Sequence, residues 1–488
     1  MFKSLVNAWK TQDLRKKLLF TLLIVVIYRI GSNVMVPFLN YTAIEQAASS
    51  ENSFLGANST FSLLAGSAFS QATLFALGVS PYITTSIIMQ LLAVAIPALE
   101  RLSKSEEGKQ KMAAITRYVT IVISIVTAIG YYLTLKNQNA QLRAQYASWG
   151  LSGDLLDQLA PYFVTVTGNK GVDFFVAVVI VACFVAGSSL VMWLAEKVND
   201  KGIGNGVSII LFVNIISRAP QMLSQIVTLI KTTAHPLDSG YTGMGFTKET
   251  SFLAGGLAYV IGMGVFVLFL LWFIIHFSDS ERRIPIQYAK RVVGRKMYGG
   301  QNTNLPIKLN MAGVMPIIFA SAILGIPQMV YMFISYERKV GFNKFWNGFF
   351  AQFMSGTSIT LVILNLILIL AFAYFYVAIS FNPNEVAGNI QKNGGSIPGI
   401  RPGKPTADFV KKVLSKITFI GAMFLAVIAV LPLIIQLVVN TISPGVSFYV
   451  SDFVQSGTSI IIVVGVILET LRELESQLSM RHYKGFLE

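Results

Sequence analysis

Basic side chains are the residues of this chain best placed to bind something, and they gather in two polar gaps. The first gap, 278–310, reads Asp279-Ser-Glu-Arg-Arg-Ile-Pro-Ile-Gln-Tyr-Ala-Lys-Arg291 and then Gly294-Arg-Lys296. The second, 382–412, begins Asn382-Pro-Asn-Glu-Val-Ala-Gly388 and holds Arg401 between Pro398 and Pro402. A guanidinium presents a planar fork of donors that matches carboxylate and phosphate geometry. Clustered arginine in these loops therefore suits a large anionic partner, either RNA phosphate or an acidic protein surface. Topogenic charge or lipid headgroup contact accounts for the same residues without a partner, and charge alone leaves both readings open. Alternating apolar and polar residues over 283–289 predict a short strand or ribbon. The two prolines predict a stiff turn around Arg401.

Catalytic chemistry has no comparable foothold. The sequence has no GxxxxGK[ST] loop, no HExxH, no CxxC and no GxSxG. Its single cysteine, Cys183, lies in an apolar run, and His235, His276 and His482 share no ligand spacing. No catalytic residue, metal or cofactor is therefore expected. Gly202, Gly204 and Gly206 allow unusual backbone shapes. Their spacing fits neither a dinucleotide fingerprint nor a P-loop, which favours a tight structural turn over a phosphate cradle.

The elements that must carry these residues are apolar. The chain has 488 residues, 54% hydrophobic and 12% charged, about half the charge of a soluble domain. Ten long apolar stretches lie near 18–39, 73–96, 113–135, 173–195, 203–230, 253–277, 311–334, 358–381, 413–439 and 457–470. About 20 apolar residues cross a bilayer as a helix, and lipid leaves runs of this length no other form. The first run is longer than a signal-peptide core and nine others follow it, which argues against cleavage. Nearly all of the net charge of +15 falls in every second gap. By the positive-inside rule that face is cytoplasmic, and ten spans put both termini there. The expectation is one all-α membrane unit over 1–488, with halves 1–230 and 231–488 of five spans each.

Energy-coupling groups are missing from the spans. Asp173 and Glu469 sit at span ends, and the one charge well inside a span is Arg29, which either snorkels outward or pairs with another helix. Such a protein is a passive conduit or a machine driven by something else. The second span is broken: Pro81 removes a helical hydrogen bond, and Gly78, Ser80, Thr84, Thr85 and Ser86 offer small faces for close packing. Upstream, 61–70 is apolar but too short to cross. Two halves with broken second and fifth spans suggest an inverted repeat with its working site between them.

Six segments carry a resemblance. FALGVSPYITTSIIMQLL (75–92), AEKVNDKGIGNGVSI (195–209), ERRIPIQYAKR (281–291), LPIKLNMAGVMPIIFAS (305–321), FNPNEVAGNIQKNGG (381–395) and PGIRPGKPT (398–406) resemble the SecY family, the pore subunits of the bacterial protein-translocation channel. They stand in the family's order among ten spans. The resemblance implies an aliphatic pore ring at Val79, Ile83, Val207, Leu211, Ile318 and Ile462, which periodicity would not have selected. It implies a plug over 61–70, including Phe61, Leu63, Leu64, Gly66 and Phe69. It implies a lateral gate between spans two and three and spans seven and eight. It implies that Arg401, with Arg282, Arg283, Lys290 and Arg291, forms a docking face for the SecA motor or the ribosome. SecE and SecG would be partner subunits, a YidC-type insertase a further partner, and signal-bearing polypeptides and membrane lipids the other contacts. The place is the bacterial cytoplasmic membrane. One departure is Val36-Pro-Phe-Leu-Asn40, where the family often has a glycine. The competing readings are an inverted-repeat solute transporter and a membrane-embedded enzyme. The first would need a polar midplane site and the second a catalytic constellation.

Overall fold

The structure is a computed structural model that describes residues 6, 8–48, 66–148, 161–165, 168–220, 249–288, 291–293, 296–298, 302–333, 348, 359–442 and 456–484. Its order is α1 (Gln12–Gly31), α2 (Tyr41–Ala48), α3 (Ser67–Ser70), α4 (Ser80–Ala95), α5 (Pro97–Lys104), α6 (Glu106–Ser148), α7 (Lys170–Lys201), α8 (Gly206–Ile216) and α9 (Glu249–Ser278). Then come β1 (Glu281–Tyr288), β2 (Arg291–Val293), β3 (Lys296–Tyr298), β4 (Asn302–Lys308), α10 (Met315–Met332), α11 (Ile359–Ser380), α12 (Pro383–Lys392), β5 (Gly395–Ser396), α13 (Lys404–Ile442) and α14 (Ser456–Lys484).

Every one of the ten apolar stretches contains a helix. Four helical segments are long and apolar enough to cross a membrane by length and composition: Glu107–Ser148, Lys170–Lys201, Ile359–Lys392 and Lys404–Leu431. Ser80–Ala95, Gly206–Ile216, Gly264–Ser278 and Met315–Val330 are shorter apolar helices. The outward faces of these helices and of α1 carry large apolar side chains such as Leu22, Val122, Phe174, Leu268 and Ile363, all more than half exposed. That is the surface lipid tails would cover. The 43 residues of α6 span about 65 Å, more than the ~45 Å of a bilayer with its headgroups, so this helix projects well beyond one.

Two expectations are corrected. Pro81 does not kink a long helix. Residues 71–79 are turns, and α4 begins at Ser80 with Pro81 in its first turn. A first-turn proline lacks only an N–H that would have had no helical partner. The stretch is bent because Leu74 N–H donates to Val34 C=O at 2.8 Å and Gly187 of α7 lies against the Leu74 carbonyl. Arg29 is not deep in a span either. Helix α1 stops at Gly31, so Arg29 lies in its last turn, exposed, with Nη1 3.5 Å from Ser32 Oγ. A cation there complements the helix dipole, which fits the snorkelling reading.

The glycine run is a structural turn. Gly206 N–H donates to Asn199 Oδ1 at 2.7 Å, Ile203 N–H to Thr21 Oγ1 of α1 at 3.1 Å, and Gly204 N–H to Glu473 Oε2 of α14 at 2.9 Å. Asn205 caps α8 by accepting from Val207 and Ser208 N–H. The donors that could cradle a phosphate are occupied by side chains of the protein itself. The missing glycine after span one also has a structural counterpart. Phe38 adopts φ +66°, the region glycine favours, and is held there by Thr165 N–H donating to its carbonyl at 3.0 Å.

The main apolar core joins α1, α4, α7, α8, α9, α10, α11, α13 and α14. A second cluster, around Ile44, Phe69, Leu77, Tyr131, Phe163 and Phe184, closes the end of the bundle away from the α7–α8 turn. Cys183 packs at its edge.

Candidate pore, plug segment and docking face

Four helices bring the six ring candidates into a single apolar cluster. Val79 precedes α4 and Ile83 is in its first turn. Val207 and Leu211 lie one turn apart on α8. Ile318 is in the first turn of α10 and Ile462 near the start of α14. Val79, Ile83, Leu211, Ile318 and Ile462 are at most 3% exposed, and Val207 packs against them from a partly buried position. The α8 stripe continues, four residues on, at Ile215, which packs on the same core. A cluster of aliphatic tips has no group to replace an ion's hydration shell.

Of the plug candidates, Phe61, Leu63 and Leu64 lie outside the described residues, whereas Gly66 and Phe69 are inside them. Phe69 is fully buried, its ring 4.8 Å from that of Tyr131, which in turn meets Phe184 edge-on at 5.1 Å. The Tyr131 hydroxyl donates to the Phe69 carbonyl. Gly66 has φ +70° and lies against Asn214 and Ser217 at the end of α8. Nearby, Tyr28 donates to Asn214 Oδ1 at 2.6 Å inside the core.

On the proposed gate side, α4 and α6 both pack against α10, and α10 packs against α11. Ser80, Thr84, Thr127 and Ser321 line a cleft there among apolar neighbours.

The two basic loops are one structure. Strand β1 pairs antiparallel with β4, from Glu281 opposite Lys308 to Gln287 opposite Asn302, and with β5 through Gln287–Ser396 and Tyr288–Gly395. The sheet order β4-β1-β5 thus ties 278–310 to 382–412. Ile284, Ile286, Ile307, Ile390, Ile397 and Val410 form a small core beneath it. That leaves Arg282 and Arg283 exposed, with Arg283 Nε 2.8 Å from Glu281 Oε1. Arg291 begins β2, opposite Tyr298, while Lys290 lies outside the described residues. Arg401 is exposed on a turn flanked by Gly399 (φ +81°) and Gly403 (φ +99°), and its carbonyl accepts from Thr406 Oγ1 at 2.8 Å. Arg472 of α14 reaches this region, donating to the Ser278 carbonyl at 2.7 Å and lying 3.3 Å from Asp279. Burial, reinforced by the Arg472 charge, pushes the Lys308 ammonium below its ordinary value, with Asp279 and Glu281 opposing. The basic side chains of this face are thus presented from a folded platform.

Sequence reasoning did not single out Tyr28, Tyr131, Asn214 or Arg218 near the plug segment, nor Thr21 and Glu473 around the glycine turn, nor Arg472 beside Ser278 and Asp279. Asn214 carries a signal, as the one amide within the apolar helix α8. Its neighbours carry none, because their roles depend on contacts across more than sixty positions.

The family model described as SecY matches residues 73–471. The chain belongs to the SecY family. Protein translocase subunit SecY of Streptomyces galbus is 39% identical over 492 residues, and that of Mycobacterium bovis 39% over 495, with all of each chain covered in both cases. Among solved structures, one titled as a protein conducting channel matches 95% of this chain and 92% of its own, with a TM-score of 0.52 at 18% identity. Another, whose title assigns the SecY plug domain to stabilising the closed state and maintaining a membrane seal, gives 0.52 at 17% identity over the same shares. These likenesses establish the fold. The match to the family model takes in all six ring candidates and both basic loops of this SecY-family chain, and leaves 61–70 outside it.

Proposed function

We infer that this chain is the pore subunit of a protein-conducting channel, moving unfolded polypeptides across a membrane rather than catalysing a reaction. The observation that carries the reading is the convergence of Val79, Ile83, Leu211, Ile318 and Ile462, from four helices far apart in sequence, on one buried apolar cluster in a chain similar to translocase subunits over its whole length. In this reading there are ten spans in two inverted halves, 1–230 and 231–488, in the bacterial cytoplasmic membrane, with both termini inside. The aliphatic ring is the constriction, 61–70 the plug, and the seam of α4 and α6 against α10 and α11 the lateral gate. An apolar segment leaves through that seam because leucine-like residues favour the bilayer and charged ones oppose it.

A channel without a nucleotide site borrows its driving force. The platform with Arg282, Arg283 and Arg401, together with Lys290 and Arg291 further along the same loop, is the docking face for SecA or the ribosome, with SecE and SecG as companion subunits and a YidC-type insertase as a downstream partner. Arg401→Glu is expected to weaken motor docking by about 1–2 kcal/mol, a factor of about 5–30. Binding of the motor to membranes holding the variant checks this, and unchanged binding would move docking away from this turn.

A crosslink tests the reading directly. With Cys183→Ser as background, Ile318→Cys should form a disulfide with a cysteine in a stalled secretory polypeptide. Adducts at lipid-facing control positions but none at 318 would remove the ring from the polypeptide's path.

A further inference from the structure

We propose that Tyr131 and Arg218 are positioning residues that clasp the plug shut by holding its backbone, an inference that rests on reading 61–70 as the plug. The two donors come from different helices and converge on one short segment. The Tyr131 hydroxyl, on α6, donates to the carbonyl of Phe69. The Arg218 guanidinium, just past the end of α8, lies 3.4 Å from the carbonyl of Gly66. Both acceptors are main-chain atoms. The two hydrogen bonds fix the path of the segment, while the lack of a side chain at Gly66 and the Phe69 ring fit it to its neighbours.

The geometry around each donor is tight. Tyr131 is fully buried between the rings of Phe69 and Phe184, so its hydroxyl has little solvent to fall back on. Gly66 sits at φ +70°, and a Cβ there would lie 3.0 Å from the Asn214 carbonyl and 3.3 Å from Ser217 Oγ. Only glycine lets the chain pass this close to α8 without strain. Asn214 is itself fixed by Tyr28 at 2.6 Å and Ser217 by the Asn214 carbonyl at 2.7 Å, so the surface that receives Gly66 is rigid.

The chain is anchored differently on the other side of this segment. Thr73 pairs with Met35, Leu74 N–H donates to Val34 C=O, and the Leu74 carbonyl rests on Gly187. Between clasp and anchor lies Ala72 at φ +49°, a conformation alanine rarely adopts. The two donors add to other ties on this segment: Thr73 N–H donates to the Ala68 carbonyl at 3.2 Å, and the Phe69 side chain is buried in the second apolar cluster. Loss of either donor weakens the hold on Gly66–Phe69 while the contacts that seat α4, and with it Val79 and Ile83, are untouched.

The test uses the full chain reconstituted with its partner subunits, without translocating polypeptide, and reads resting ion conductance. Tyr131→Phe keeps the ring and its stacking and removes only the donor; resting conductance should rise about tenfold, the equivalent of one buried hydrogen bond. Arg218→Ala should do the same, and Arg218→Lys should recover part of the seal. In a background lacking 61–70 neither substitution should add to the leak. If that deletion leaks while Tyr131→Phe and Arg218→Ala stay tight, the clasp is overturned and the plug stands. If the deletion itself does not leak, the plug reading falls first. Should Tyr131→Phe fail to accumulate, Arg218→Ala decides alone, because Arg218 lies outside the buried core.

Discussion

Gly206→Ala is expected to lower the stability of this protein by about 3–5 kcal/mol. A Cβ on Gly206 would lie 2.0 Å from the carbonyl oxygen of Ala195, and the obstacle is backbone, which cannot rotate away. Overpacking of this kind costs about 1–3 kcal/mol. Opening the turn to relieve it breaks the Gly206–Asn199 bond, about 1 kcal/mol, and disturbs the Asn205 cap of α8, about 1 more. The control is Gly262→Ala on α9, where an added Cβ meets nothing within 4 Å. Both variants would be heated in detergent and followed by loss of the soluble folded fraction. The Gly206 variant should fail well below the control, and matching curves would mean that α7 and α8 do not meet as closely as described.

The effect should extend past the turn, because this hairpin is where distant parts of the chain are tied together. Its N–H groups are satisfied by Thr21 from α1 and Glu473 from α14, and Lys17 Nζ lies 3.1 Å from Gln477 Oε1 beside them. Ala8, Leu14, Ile203 and Leu474 bury one another at the same end. Distorting the turn pulls on the first and last helices at once. That makes the glycines a mechanical requirement, which is why a sequence so suggestive of an anion cradle binds its own side chains instead.

How far the sequence was legible follows from the range of each interaction. Runs of bilayer length announce helices, since hydrophobic length alone decides the matter, and each of the ten runs holds one. Where a helix starts is a different question. Residues 73–79 are as apolar as the rest of their run, yet they form turns because Val34, Met35 and Gly187 hold them from elsewhere. Strand β1 shows itself by alternation, with Ile284 and Ile286 inward and Arg283, Pro285 and Gln287 outward. Strand β5 is two residues, Gly395 and Ser396, too short for any period, so the joining of the two basic loops could not be seen before the structure. The ring is the extreme case. Aliphatic residues in apolar helices have no distinguishing mark, and only the resemblance singled out Val79, Ile83, Val207, Leu211, Ile318 and Ile462. Their convergence is a property of four helices packing together.

The ring also sets the second large expectation, that Ile83→Ser combined with Ile318→Ser will breach the resting seal. Both side chains are nearly inaccessible, at 3% and 2% exposure, in the shared cluster. Each exchange removes about 2 kcal/mol of apolar transfer free energy and adds a hydroxyl that can hold water. Together they shift the balance between dry and wetted constriction by about 4 kcal/mol, nearly three powers of ten. Resting conductance of the reconstituted channel should rise accordingly, while Ile83→Leu with Ile318→Leu, which conserves volume and polarity, should leave it low. A seal that survives both serines would place the constriction on other residues, the α8 stripe at Ile215 first among them. A leak from the leucine pair as well would mean that shape, not dryness, closes the pore. The two outcomes separate because dewetting depends on polarity and plugging depends on fit. A channel that must yield around many different polypeptides gains from the former: an apolar ring can widen around a chain and reclose without having to match it.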